Sequence, residues 1–155
     1  MWQPVFMISG YILGILGLIM LIPAGLDFVE NEQIWSPFLL SSLITFFFGF
    51  SLFLANYTKV EKISLKQAYL VTVVSWCAVG VFAALPFLFF NSDYRFADVF
   101  FETVSGITGT GATVLSDVES LPKPILLWRS ILNLLGGLGI VIFAVALLPF
   151  LGIGG

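Results

Sequence analysis

The sequence predicts an all-α polytopic membrane protein: two leading transmembrane helices followed by one helix–re-entrant pore loop–helix repeat. Three observations predict it. First, 59% of the 155 residues are hydrophobic and only 10% are charged. A soluble domain carries about 25% charged residues, so lipid must be the solvent for most of this chain. Second, the charges leave four long uncharged windows, 1–26, 33–58, 67–92 and 130–155. Each exceeds the roughly 20 residues that a helix needs to cross a bilayer. Third, a fifth uncharged window, 103–116, has only 14 residues. As a helix it reaches about 21 Å, short of the roughly 30 Å hydrocarbon core. A re-entrant segment fits that length.

The composition also narrows function. No basic run points to nucleic acid. The absence of His removes the commonest general base and metal ligand. No grouping of Asp and Glu resembles a catalytic site, so no enzyme activity, catalytic residue, resident metal or cofactor is expected. Cys77 is the single cysteine and lies in an apolar run, which reads as a buried structural thiol.

The leading pair occupies 1–58. The first span lacks the basic n-region of a signal peptide, and its apolar run is long for an h-region. Gly10, Gly14 and Gly17 give it a small-residue face suited to helix packing. The following loop holds Asp27, Glu30 and Glu32 without Lys or Arg and reads as external. The loop 59–66 holds Lys59, Lys62 and Lys66 and reads as cytoplasmic. Even crossings then put both termini inside, with Arg95, Lys123 and Arg129 on the outer side.

The repeat occupies 67–155. Its first helix is 67–92, and Asn91-Ser92-Asp93 supplies cap side chains for a pore helix over 94–107. Phe96, Phe100, Phe101 and Val104 are spaced to share one face of it. Asp98 suits the positive dipole end, and Gly106 closes the helix. Its negative C-terminal end then points toward the membrane centre, where it favours a cation. Asp93, Asp98, Glu102, Asp117 and Glu119 flank the next loop and raise the cation concentration at a pore mouth. The bland reading is that they only mark water-facing loops.

The loop 108–114 is Thr108-Gly109-Thr110-Gly111-Ala112-Thr113-Val114. It is too polar to face lipid, and non-helical backbone at membrane depth must be covered by protein or water. Gly109 and Gly111 tolerate backbone angles closed to other residues. Alternating such angles lets successive carbonyls turn one way, and rings of carbonyls replace the hydration shell of a cation. An ordinary Gly/Thr turn is the competing reading. A phosphate loop is excluded by glycine order and by the missing strand and Lys.

The last helix, 122–150, follows Ser120-Leu121-Pro122-Lys123-Pro124, with Ser120 as cap and proline in the first turn. Trp128 and Arg129 read as interfacial anchors. Gly136, Gly137 and Gly139 read either as a bend on the pore side or as close helix packing.

Phe101-Glu102-Thr103-Val104-Ser105-Gly106-Ile107 and the loop after it resemble the first pore loop of the Trk/Ktr/HKT potassium transporters, of the TrkH/TrkG type. Leu121 to Ser130, Leu135 to Ile140 and Leu148 to Gly155 resemble the family's continuation. The resemblance is strong over 95–155 and weaker over 1–66. It implies four such repeats around one pathway in a longer chain, and potassium uptake in a bacterial inner membrane. It also implies a homodimer and a cytoplasmic nucleotide-binding regulator of the TrkA kind. It places the potassium filter at Gly109, Thr110, Gly111, Ala112 and Thr113, with Thr108 just before. The family usually has Thr in place of Gly109, so Gly109→Thr is expected to sharpen potassium over sodium. The resemblance covers only the N-terminal part of the family. A truncated frame is the favoured explanation, beside a split subunit completed by the remaining repeats and a self-assembling homo-oligomer. The alternative function is a non-conducting scaffold or remnant.

Overall fold

The computed structural model describes residues 2–60 and 62–148. The end of the expected last helix, 149–150, and the resemblance beyond residue 148 lie outside the described residues. All regular elements among the described residues are helical: α1 (Gln3–Ile19), α2 (Leu21–Glu30), α3 (Trp35–Ala55), α4 (Leu65–Ala83), α5 (Leu85–Phe90), α6 (Phe96–Ile107), a 3-10 turn (Val118–Ser120) and α7 (Lys123–Leu147).

Two proline residues explain why six of the seven α-helices among the described residues make four spans. Pro23 has no N–H to offer the carbonyl of Ile19, and α1 gives way to α2 at Met20. Pro86 likewise cannot donate to Phe82, and α4 gives way to α5 at Ala84. Among the described residues, the four helices long and apolar enough to cross a membrane are Gln3–Glu30, Trp35–Ala55, Leu65–Phe90 and Lys123–Val145, with mean hydropathies of 2.5, 2.1, 2.2 and 1.9. With 12 residues, α6 reaches only about 18 Å and cannot cross.

Local chemistry fixes the helix ends. At the close of α2, Asn31 takes the left-handed conformation (φ 59°), one that Asn tolerates better than most residues. Asp27 then accepts the N–H of Ile34 at 3.0 Å and turns the chain into α3. A capping box opens α4: Ser64 Oγ accepts the Gln67 N–H, and Gln67 Oε1 accepts the Ser64 N–H.

The leading helices pack backbone to backbone. A Cβ at Gly10 would stand 2.6 Å from Phe53 N, and one at Gly17 would stand 2.9 Å from Phe46 N. Gly49 of α3 faces back, with Gly10 O only 2.8 Å from a Cβ built there. Ser42 Oγ donates to Gly17 O at 2.6 Å across the same seam. Close packing is therefore the role of Gly10 and Gly17, while a Cβ at Gly14 meets open space.

The core joins the leading pair to the repeat. Phe38, Phe87 and Trp128 are fully buried. The Trp128 ring lies edge-on to Phe38 (centroids 6.2 Å, 75°), and its Nε1–H donates to Ala83 O at 3.0 Å. Trp128 is thus a core residue and not the interfacial anchor expected; its N–H satisfies a carbonyl near the broken end of α4. Cys77 also departs from expectation, for it is exposed on the protein surface. The inward face of α4 carries Ser75, Gly80 and Ala83. Cys77 is two residues from Ser75, about 200° around the helix. Ser75 points inward to a hydrogen bond with Ser9 Oγ at 3.0 Å.

Candidate functional site

The site is built on the C-terminal end of α6. The helix starts at Phe96, capped by Arg95 without a side-chain hydrogen bond. Asn91 spends its Oδ1 on the N–H of Asp93 instead, in a separate turn. The expected cap from 91–93 is therefore corrected. Asp98 does lie in the first turn, where it pairs with Arg95 at 3.1 Å.

Of the side chains expected to share one face, Phe100 and Val104 are half-buried beside Gly80 of α4. Phe96 and Phe101 are 49% and 46% exposed, while Val99, Glu102, Thr103, Ser105, Gly106 and Ile107 are buried. Thr103 Oγ1 donates to Gly80 O at 2.9 Å and fastens α6 to α4. Gly106 does not close the helix, which runs on to Ile107. Instead Gly106 makes room for α7: a Cβ there would stand 3.2 Å from Leu132 Cβ. One helical turn farther along α7, a Cβ at Gly136 would collide with the carbonyl of Ile107. Of the two readings for the α7 glycines, close packing holds at Gly136. Gly137 and Gly139 have open space beside them. The α6 terminus is thus seated directly on the α7 backbone.

From this seat the chain turns sharply. The N–H groups of Thr108 and Gly109 bond to Val104 O and Gly106 O, both at 3.0 Å. Ser105 O receives Thr110 N at 3.0 Å and Gly111 N at 3.4 Å. Thr108 Oγ1 donates to Val104 O at 2.7 Å and lies 2.8 Å from Thr110 Oγ1. Gly109 and Gly111 have φ of +70° and +74°, while Thr110 and Ala112 stay at negative φ. The backbone alternates in sign over four residues, as the composition predicted. Residues 108–114 are all exposed. Among the described residues, the carbonyls of Thr108, Gly109, Thr110 and Gly111 accept no hydrogen bond.

The returning limb is clamped from behind. Ser105 Oγ donates to Ala112 O at 2.6 Å, so this carbonyl is partly engaged. Glu102 Oε2 accepts Thr113 Oγ1–H at 2.9 Å and Val114 N–H at 3.2 Å. Its Oε1 accepts Arg129 from Nε at 2.8 Å and Nη2 at 2.6 Å. The carboxylate is thereby saturated. Glu102 is 4% exposed, so removing Arg129 would strand a buried charge. A cavity of about 20 Å³ beside these bonds is lined in part by Glu102, Gly111, Ala112 and Arg129.

Sequence reasoning missed this pair. Glu102 read as one of several mouth acids, and Arg129 as an interfacial anchor. The available signal was the cost of charge among apolar helices, which requires a partner. Their separation of 27 positions hid which partner it was. Among the described residues, no group of three or more His, Cys, Asp or Glu is placed to hold a metal ion.

Residues 34–155 match the TrkH family, described as cation transport proteins. The chain belongs to that family. The Trk system potassium uptake protein TrkH of Vibrio parahaemolyticus is 34% identical, over 99% of this chain and 32% of its own length. The Trk system potassium uptake protein TrkG of Escherichia coli K12 is 37% identical, over 94% of this chain and 30% of its own. The crystal structure of the potassium transporter TrkH from Vibrio parahaemolyticus superimposes with a TM-score of 0.92 at 33% identity, covering all of this chain and 33% of that one. This chain therefore spans about a third of the length of the TrkH-family relatives it matches. The all-α, multi-pass membrane architecture read from the sequence is the architecture of the family.

Proposed function

We propose that the chain contributes one section of the potassium pathway of a Trk-type uptake system, with Thr108, Gly109, Thr110, Gly111, Ala112 and Thr113 as its part of the filter. The observation that carries this reading is the alternating backbone at Gly109–Ala112, where the exposed carbonyls from Thr108 to Gly111 have no hydrogen-bond partner among the described residues. Such oxygens, with the negative end of α6 behind them, suit a cation stripped of water. The names of the relatives supply the ion, K⁺.

One loop provides only part of an oxygen cage. The remaining pore repeats or further copies of this chain complete it, and a TrkA-like cytoplasmic regulator is the expected soluble partner. The setting is the lipid of a bacterial inner membrane, with both termini cytoplasmic. Movement of K⁺ is driven by the electrochemical gradient, to which the membrane potential adds about 2.3 kcal/mol per charge per 100 mV. No observation favours the non-conducting scaffold.

Rubidium uptake, in cells without other potassium uptake systems, tests the reading. Gly111→Val places a β-branched residue at φ +74° and displaces the loop carbonyls. Uptake should disappear while the protein still reaches the membrane. Wild-type uptake by this variant would overturn the filter assignment.

A further inference from the structure

We propose that Arg129 cancels the charge of Glu102 behind the loop, and that this balance sets how tightly the loop holds a cation. The inference rests on the transport reading above. Glu102 is buried, and its Oε2 touches a loop residue directly, 2.9 Å from Thr113 Oγ1. With Arg129 it lines the small cavity that also reaches Gly111 and Ala112. An uncompensated carboxylate there would add a full negative charge to a site otherwise made of carbonyl dipoles. Charges away from water interact far more strongly than in it. Such a site would admit a cation readily and release it slowly, whereas conduction requires both entry and exit. The Arg129 guanidinium, at 2.6 and 2.8 Å from Glu102 Oε1, removes that net charge.

A mere clamp and a charge balance differ in sign. If the pair only braces the returning limb, Glu102→Gln and Arg129→Gln both loosen it and shift the KM for uptake in one direction. Under charge balance they act oppositely. Glu102→Gln keeps an oxygen for Thr113 and Val114 but leaves the Arg129 cation, so KM should rise about tenfold. Arg129→Gln leaves the Glu102 carboxylate, so KM should fall about tenfold and the maximal rate should fall with it. The double variant E102Q/R129Q should bring KM back to within about threefold of the wild type.

The experiment is the concentration dependence of rubidium uptake by the protein as its host cell makes it, normalised to the amount in the membrane. Opposite KM shifts in the single variants, reversed in the double, are the expected result. Shifts of the same sign, or no shift, would overturn the proposal. If stranded charges keep the single variants from the membrane, the neutral double variant decides: a KM within threefold supports the balance, and a larger shift overturns it. Absence of uptake by the wild type would instead overturn the transport reading, and this inference with it.

Discussion

Glycine serves opposite ends in two regions of this molecule. In the seam between α1 and α3, and at the seat of α6 on α7, glycine is present because another backbone occupies the space of a side chain. A Cβ at Gly49 would stand 2.8 Å from Gly10 O, and one at Gly136 would collide with Ile107 O. In the loop the space is empty. A Cβ at Gly109 or Gly111 meets nothing within 4 Å, but the backbone there has φ of +70° and +74°. One region needs glycine for its volume and the other for its dihedral freedom. The first kind of position is intolerant of any side chain. The second should accept a small residue at a moderate strain cost, with function affected more than folding.

The largest effect should therefore come from Gly136→Val. The side chain has no room against the Ile107 carbonyl, so the end of α6 must leave its seat. Destabilisation should exceed the usual overpacking cost of about 1–3 kcal/mol, because the obstacle is backbone rather than a movable side chain. Thermal unfolding in detergent should show a large loss, and uptake should vanish with it. A variant of wild-type stability would mean that the α6–α7 contact is not what holds the loop.

Gly111→Ala should have the next largest effect, and one of different character. A left-handed L-residue costs about 1–2 kcal/mol, too little to unfold the protein. Uptake should fall severalfold while the thermal unfolding midpoint drops by only several degrees. Gly109→Thr belongs to the same class. The family resemblance leads one to expect an added hydroxyl to sharpen potassium over sodium. The backbone argues otherwise, because a β-branched residue at φ +70° is strongly disfavoured. Uptake should fall, and a variant that transports at wild-type rate with better discrimination would show that the loop relaxes to accept it.

The fold was legible because it follows from bulk properties. Charge gaps gave four apolar stretches, and the described residues hold four helices long and apolar enough to cross a membrane. The alternating backbone of the loop was legible because Gly109 and Gly111 are the residues there that readily take positive φ. The failures share one cause: they concern which neighbour a residue meets. Trp128 and Arg129 have interfacial composition, yet one donates to Ala83 O and the other to Glu102. Gly106 looked like a helix stop, but it is the clearance for Leu132. Phe96 and Phe101 are apolar yet exposed, whereas Glu102, Thr103 and Ser105 take the inward side beside Val99 and Ile107. Polar side chains share that inward face because each has a partner there: Thr103 bonds to Gly80 O of α4, Ser105 to Ala112 O, and Glu102 to Arg129 and the loop. Cys77 failed for a related reason, since in a membrane protein an apolar run does not imply burial in protein.

The smallest effect sharpens the comparison from the other side. Gly14 lies in α1 near the close-packed seam, yet a Cβ there meets open space and the backbone is helical. Neither reason for glycine applies to its side chain position. Alanine should then gain helix propensity, up to about 1 kcal/mol in an exposed helix interior. Gly14 backbone already borders Gly49, so the gain depends on the seam keeping its spacing while the methyl group points away from it. Thermal unfolding of Gly14→Ala should rise slightly or stay level, with uptake unchanged. A loss of more than about 1 kcal/mol would exceed what an uncrowded surface substitution normally costs. It would show that another surface closes on this face of α1, and that Gly14 belongs with Gly10 and Gly17 after all.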